Sequence, residues 1–189
     1  MGSKLTFCGS AGRFMDDLSS RLNGLEIIPA TTENAADIFP VLSGNMEFAA
    51  MSYGRPAELS DITEGIEAVP PHFPRESKIY AGLFDEGAPA AVFDLLLGYP
   101  EPDVLWLGLL EVAKPRQGGG LGRRVTHALL DTARASGFRA VQLGVMANNA
   151  PGRQFWDKMG FSQIRESIVN HQDGPDWHIL VLERNLTVC

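Results

Sequence analysis

A glycine-rich stretch, PRQGGGLGRRV, runs from Pro115 to Val125 and is the part of the sequence whose residue types point most directly to chemistry. An apolar run that ends at Val112 precedes it, and a helical apolar pattern follows it. A turn from a strand into a helix leaves backbone N–H groups unpaired at the helix N-terminus, where the helix dipole favours an anion. Glycine lets a phosphate approach closely, and Arg123 and Arg124 supply positive charge. The stretch therefore predicts a phosphate or pyrophosphate site.

Two nucleotide-binding motifs do not fit this stretch. The P-loop needs a lysine followed by Ser or Thr, and neither pair occurs here. The dinucleotide fingerprint GxGxxG needs a glycine at the position that Arg123 occupies. A flexible connection with ordinary helix capping is the alternative that involves no ligand.

A third motif fits both the loop and a later segment. Gln117 to Gly122 (QGGGLG) follows the order Gln or Arg, two residues of any type, Gly, any residue, then Gly or Ala, and so resembles the pyrophosphate loop of the GNAT N-acetyltransferase family. Asn149 to Phe161 (NAPGRQFWDKMGF) is similar to the second motif of that family, an asparagine and a short helix that closes in Gly-Phe. The resemblance extends from Gly24 to about Leu186, and two motifs at this separation are more specific than either alone.

The resemblance implies an α/β (α+β) fold with a mixed, mostly antiparallel central sheet flanked by helices, in which the parallel fourth and fifth strands splay apart. It also implies acetyl-CoA as the acyl-donor cosubstrate, bound at that splay without a metal. Backbone groups of Leu110, Glu111 and Val112 are expected to pair with the pantetheine arm. The pyrophosphate is expected on the loop, and the arm and sulfur on the second motif. The cofactor-binding residues expected from the resemblance are Leu110, Val112, Gln117, Gly118, Gly119, Gly120, Leu121, Gly122, Arg123, Asn149 and Trp156.

The implied reaction is acyl transfer to an amine, which needs an acceptor for the amine proton and a donor to the developing oxyanion. A backbone N–H between Leu110 and Val112 is the expected oxyanion donor. The family often has a tyrosine that protonates the leaving thiolate at the position of Trp156, but an indole N–H donates a hydrogen bond without giving up its proton. We therefore expect Trp156 to shape the thioester pocket.

Two acids are candidates for the catalytic base, Asp94 and Glu111. Asp94 interrupts the apolar run AAVFDLLLGY, and a buried carboxylate needs a partner or a raised pKa, so it is a candidate base or amine-binding anion. Its alternative role is a structural hydrogen bond. Uniform strand alternation separates Trp106, Gly108 and Leu110 from Leu107, Leu109 and Glu111. Glu111 reaches the cleft only if a bulge shifts that alternation, and otherwise it is a solvated or ion-paired strand-end acid.

The elements that hold these residues follow from periodicity and turn signals. Helices are expected from Thr31 towards Leu42, around residues 45–52 and 60–69, after the glycines, and over Pro151 to Met159. Strands are expected at 24–29, 78–84, 89–99, 103–112, 139–147, 162–169 and 177–183. The residues DEGA between the second and third of these strands are typical of a tight hairpin turn.

Composition limits the class of protein. The chain has 189 residues, which suits one domain over 24–189, and we expect residues 1–23 to form a loosely attached N-terminal tail. A net charge of −7 disfavours a nucleic-acid partner, and no apolar run is long enough to span a membrane. The two cysteines, Cys8 and Cys189, form neither a disulfide framework nor a metal pair, which fits a cytoplasmic protein.

These observations together predict an enzyme that transfers an acetyl group from acetyl-CoA to a primary amine of a small-molecule substrate, directly within a ternary complex. Two alternatives stay open: acetylation of a protein N-terminus or lysine, and a non-catalytic sensor that binds acyl-CoA. A homodimer is compatible with the sequence but is not indicated by any residue pattern.

Overall fold

A computed structural model of the chain describes residues 11–169 and 176–186. In chain order the α-helices of this part are α1 (Ala11–Arg21), α2 (Ala35–Ser43), α3 (Met46–Tyr53), α4 (Leu59–Glu67), α5 (Leu121–Ala135) and α6 (Ala150–Lys158). The strands are β1 (Glu26–Pro29), β2 (Lys78–Asp85), β3 (Ala88–Leu97), β4 (Val104–Val112), β5 (Ala140–Met146), β6 (Ser162–Val169) and β7 (Trp177–Asn185).

The strands form one seven-stranded sheet in the order β1-β2-β3-β4-β5-β7-β6. All neighbouring strands are antiparallel except β4 and β5, which are parallel and are joined by the crossover helix α5. This arrangement confirms the mixed, mostly antiparallel sheet expected from the sequence. The β2–β3 hairpin turns at Glu86 and Gly87, both with positive φ (51° and 80°), as a tight two-residue hairpin requires.

Each face of the sheet has its own apolar core. The larger core lies beneath α1, α5 and α6 and contains Phe93 and Leu95 from β3 together with Val125 from α5. The smaller core lies beneath α2 and α4 and contains Val92 from β3 and Ile62 from α4. Because successive strand residues point to opposite faces, β3 contributes to both cores and is buried on both sides.

The N-terminal residues correct one expectation. Residues 11–21 form α1, and its Phe14 and Leu18 are 1% and 0% exposed within the larger core. The Phe14 ring packs edge-on against Phe138, with centroids 6.4 Å apart, and Arg124 of α5 donates to the carbonyl of Asn23. The apolar face of this amphipathic helix covers sheet surface that would otherwise be exposed. Residues 11–23 are therefore part of the packed domain and not a loose tail. Residues 1–10 lie outside the described part.

No helix in the described ranges is long and apolar enough to cross a lipid bilayer. The longest, α5, is instead amphipathic: Leu121, Val125, Leu129 and Ala133 are buried, while Arg123 and Arg124 are exposed. This pattern confirms the helix predicted after the glycines and fixes its first turn at the end of the glycine-rich stretch.

Candidate functional site

The parallel strands β4 and β5 separate at one end of the sheet. Their pairing runs from Val104↔Ala140 to Leu107↔Leu143 and stops there, although β4 continues to Val112 and β5 to Met146. A cleft of about 860 Å³ opens beside this splay. Its lining includes both acids and all of the predicted cofactor-binding residues except Gly119. The structure therefore brings together residues that lie far apart in sequence.

The glycine-rich loop supplies the backbone of one wall. Gly118 and Gly120 have φ of 76° and 85°, a region that side chains rarely adopt, and Gly120 is the residue before α5. The amides of Leu121, Gly122 and Arg123 lie in the first helical turn, where no intrahelical acceptor exists for them. The first turn of α5 has no acidic side chain. These features suit an anionic group.

The basic residues near the loop have different partners. Arg123 lines the cleft. The guanidinium of Arg124, in contrast, donates to the carbonyl of Asn23, and Arg124 does not line the cleft. Arg116 is ion-paired with Asp85.

A bulge at Gly108 changes which side chains of β4 reach the cleft. Leu95 pairs with Leu107, but the adjacent Asp94 pairs with Leu109, so Gly108 is an extra residue. Directly paired residues of antiparallel strands share a face, and Glu111 pairs with Val92 on the face that Asp94 shares. The expectation of uniform alternation is therefore wrong beyond Gly108. The bulge that was the stated condition for Glu111 to reach the cleft is present, and it places Glu111 on the same face of the sheet as Asp94.

Asp94 is an ion-paired acid. Lys78 Nζ lies 2.7 Å from its Oδ1, and the Lys78 side chain is only 6% exposed. Its Oδ2 lies 2.8 Å from the position that a Cβ of residue 108 would take, so the glycine at the bulge makes room for this carboxylate. Burial raises the pKa of Asp94, and the charge of Lys78 opposes that rise. Sequence reasoning missed Lys78, although the hairpin register places it on the same face as Asp94.

Glu111 is a buried acid that makes no ion pair with any described residue. It is 6% exposed, and its Oε1 accepts a 2.7 Å hydrogen bond from Asn45 Nδ2. Its Oε2 is buried and has no hydrogen-bond partner in the described part of the chain. Burial raises the pKa of Glu111 to about 7, against the lowering effect of the Asn45 hydrogen bond. A carboxyl group with this pKa exchanges protons readily near neutral pH.

Residues of α3 and β2 form another wall of the cleft. Glu47, Phe48 and Tyr53 of α3 line the cleft, together with Tyr80 of β2. Burial, with the nearby charges of Asp61 and Glu111, raises the pKa of Tyr53 to about 12, so its phenol keeps its proton at neutral pH. Sequence reasoning missed Tyr80 because β2 reads as an ordinary apolar strand.

The second motif forms the remaining wall. Asn149 caps α6 by accepting a 2.9 Å hydrogen bond from the Gly152 N–H, and it also lines the cleft. Trp156 is 8% exposed and packs edge-on between Phe155 and Phe161, with centroid distances of 4.8 and 5.3 Å. Such packing fixes the indole as a wall of the cleft. In residues 11–169 and 176–186 no cluster of three or more His, Cys, Asp or Glu side chains is suited to a metal ion.

Comparison with known proteins gives consistent matches. The sequence model of the acetyltransferase (GNAT) family matches residues 47–161. A solved acetyltransferase from Thermus thermophilus is 25% identical with a TM-score of 0.67, covering 86% of this chain and 97% of that one. The yncA protein of Salmonella typhimurium, solved with its cofactor acetyl-CoA, shares the fold at 18% identity and a TM-score of 0.60, over 87% and 95% of the two chains.

One curated relative matches over a shorter segment. Mycothiol acetyltransferase of Beutenbergia cavernae is 34% identical over 82 residues, which are 43% of this chain and 28% of that protein. The match therefore spans less than a third of the length of that relative.

Proposed function

Because the chain belongs to the acetyltransferase (GNAT) family, we propose that it transfers an acetyl group from acetyl-CoA to the primary amine of a small molecule, with Glu111 as the base. Membership makes the chain an acyltransferase with acetyl-CoA as its acyl donor. The observation that carries the proposed mechanism is the buried Glu111 carboxyl group, whose Oε2 is unpaired within the described residues at the splay of β4 and β5.

The cleft fits acetyl-CoA on three grounds. The positive-φ glycines and the first turn of α5 offer backbone amides to a pyrophosphate, and Arg123 adds positive charge. The edge of β4 beyond Leu107 is released from β5, which leaves backbone groups for an extended pantetheine arm. Trp156 and Asn149 lie along the same cleft. When bound, acetyl-CoA supplies a thioester carbonyl that an amine can attack.

In the transfer, the amine nitrogen forms a bond to the acetyl carbon, the carbon–sulfur bond breaks, and CoA leaves as the thiolate. The proton lost by the nitrogen goes to Oε2 of Glu111, directly or through one water. A backbone N–H on the released edge of β4, between Leu110 and Val112, supports the developing negative charge on the carbonyl oxygen. Trp156 has no proton to give, so the thiolate leaves without a side-chain acid at this position.

Asp94 has a different proposed role. Its carboxylate is already bound to Lys78 at 2.7 Å, which favours the charged form and makes it a poorer proton acceptor than Glu111. A fixed negative charge in the cleft attracts an ammonium group and holds the amine near the bulge at Gly108. Asp94 is therefore proposed as the amine-binding anion.

The size of the cleft supports a small acceptor. Its volume of about 860 Å³ includes the space for the donor, and it lies within the range of small-ligand pockets. Phe48, Met51 and Tyr53 bound it on the α3 side. Because the donor takes up part of this volume, the space that is left suits a small amine better than an extended peptide.

A thiol-release assay with acetyl-CoA tests the proposal. The panel comprises aliphatic and aromatic primary amines, peptides with a free N-terminus, and peptides with an internal lysine and a blocked N-terminus. Turnover of small amines at more than ten times the kcat/KM of the peptides is the expected result. Preference for a peptide indicates the protein-acetylating alternative, and CoA binding in calorimetry with no turnover of any acceptor indicates the sensor.

A further inference from the structure

We propose that Asn45 is a positioning residue for the reaction: it holds the Glu111 carboxyl group in one orientation and is itself held by Gln117 of the glycine-rich loop. The inference rests on the proposed role of Glu111 as the base. It adds a residue outside the family motifs, from the junction of α2 and α3, to the residues on which proton transfer depends.

The position of Asn45 in the chain predicts a helix-capping side chain, but the structure shows a different set of contacts. It directly precedes α3, where asparagine usually caps the helix by accepting a backbone N–H. Its side chain makes no such bond; it is turned away from the helix and is 5% exposed. The capping contribution to α3 is therefore forgone, and the amide group is directed towards β4.

The hydrogen bonds around the amide fix its orientation. Asn45 Nδ2 lies 2.7 Å from Glu111 Oε1, 3.0 Å from the Val41 carbonyl oxygen and 3.1 Å from the Val112 carbonyl oxygen. The Val41 and Val112 carbonyl oxygens can only accept hydrogen bonds, so the nitrogen and not the oxygen of the amide must face them. Asn45 Oδ1 accepts a 2.7 Å hydrogen bond from Gln117 Nε2. Both ends of the amide are therefore used.

The two carboxyl oxygens of Glu111 therefore have different surroundings. Oε1 is tied to Asn45, and this leaves Oε2 as the oxygen without a partner in the part of the chain that the structure describes. The amide N–H also stabilises the carboxylate form, because a hydrogen bond donated to a charged acceptor is stronger than one to a neutral acceptor. Asn45 thus keeps the pKa of Glu111 from rising as far as burial alone would raise it.

Within the described residues, no positively charged side chain is seen to stabilise the carboxylate form of Glu111. The titratable groups that face Glu111 are Tyr53 from α3, Tyr80 from β2 and Asp94 from β3, and each of them is neutral or negative at neutral pH. Lys78 is paired with Asp94. A neutral amide is a suitable partner for a base, because it orients the carboxylate without trapping it in an ion pair.

Gln117 connects this arrangement to the donor site. Its Nε2 donates to Asn45 Oδ1 and also lies 3.0 Å from the Val112 carbonyl oxygen, where β4 ends and the loop begins. The same residue is predicted to contribute a backbone amide to the pyrophosphate site. Gln117 therefore links the orientation of the Glu111 carboxyl group, through Asn45, to the position of the loop.

The test compares Asn45→Ala and Asn45→Asp with the parent in the pH dependence of kcat/KM. Loss of the amide donor raises the pKa of Glu111, so the bend in the pH profile of kcat/KM near pH 7 should move upward by about one pH unit or more, with kcat/KM at pH 7 falling about fivefold or more. Asn45→Asp keeps the side-chain shape but adds a like charge, and it should move the bend at least as far. Asn34→Ala is the matched control, because Asn34 binds the Pro29 carbonyl group before α2 and does not line the cleft.

The pKa of Glu111 can also be measured without turnover, by NMR titration of its carboxyl carbon chemical shift in labelled protein. A Glu111 pKa equal to that of the parent in folded Asn45→Asp would overturn the proposal, as would an unmoved bend in Asn45→Ala with lower activity only. Gln117→Leu should move the bend in the same direction, and an unmoved bend would exclude the loop from the arrangement.

Failure of the underlying mechanism has a different signature. Glu111→Gln with parental turnover would reject Glu111 as the base, and the role of Asn45 with it, whatever the Asn45 variants do. An inactive Glu111→Gln together with Asn45 variants of unchanged pH dependence would reject only the positioning role.

Discussion

Asp94 and Glu111 lie on the same face of neighbouring strands as diagonal neighbours, because the bulge at Gly108 shifts the alternation of β4. Their surroundings differ. Asp94 is 2.7 Å from Lys78, whereas Glu111 has only the neutral Asn45 amide as a partner in the described chain. Two carboxyl groups in one cleft with such different environments are suited to different tasks, one to carry a fixed charge and the other to accept a proton.

Glu111→Gln tests the base. The variant keeps the shape of the side chain but cannot accept a proton, so kcat/KM for the amine should fall about 10²- to 10⁴-fold. In the parent, kcat/KM should fall more steeply as the pH drops below about 7, because protonated Glu111 is inactive. Glu111→Gln should lose this bend and retain only the slope that comes from protonation of the amine itself. A bend that survives in the variant would assign it to another group.

Asp94→Asn tests the amine-binding anion. We expect the KM of the amine to rise about tenfold to hundredfold, with a smaller change in kcat and an unchanged affinity for CoA. The variant also leaves Lys78 buried without its counter-charge, so folding is measured alongside and in the double variant Lys78→Met/Asp94→Asn. A loss of kcat as large as that of Glu111→Gln would make Asp94 the proton acceptor. Parental kinetics in a folded variant would make the ion pair purely structural.

Gly120→Asp tests the donor site. A carboxylate before the first turn of α5 repels a pyrophosphate, so the affinity for CoA in calorimetry should fall about hundredfold or more. Gly24→Asp is a matched control: Gly24 has φ of 82° against 85° for Gly120, and both have open space where a Cβ would go. The control carries the same backbone strain away from the cleft. Equal CoA affinity in the two variants would contradict the assignment of the loop.

Trp156→Phe tests whether the indole acts in proton transfer. The ring packs between Phe155 and Phe161, and phenylalanine preserves most of that contact, so we expect kcat within about threefold of the parent and any loss to appear as weaker CoA binding. Trp106→Phe serves as a control at a tryptophan that does not line the cleft. A hundredfold fall in kcat with unchanged KM would instead give the indole N–H a role in the transition state.

The sequence by itself determined the local features of this protein. The glycines of 118–122, the hairpin at Glu86 and Gly87, the helical spacing of α5 and the alternation within most strands each depend on neighbouring residues. Local backbone preferences and apolar periodicity therefore sufficed to predict most of the helices and strands and an anion-binding loop, whereas the arrangement of the sheet and the acetyl-CoA site were expected from the family resemblance. The expectation of a loose tail was wrong for residues 11–23 because α1 is held by tertiary contacts: its apolar face packs on the sheet and on α5, which lie far away in the sequence.

Only the tertiary structure decided the environment of the two acids. The bulge at Gly108 exists because β3 and β4 pair in a particular register, and a strand sequence does not reveal the register of its partner. The partners of the acids are distant in the chain: Lys78 lies 16 residues from Asp94 and Asn45 lies 66 residues from Glu111. The proton affinity of a carboxyl group depends on burial and on such contacts, so the same functional group is a paired anion at Asp94 and a group with a pKa of about 7 at Glu111.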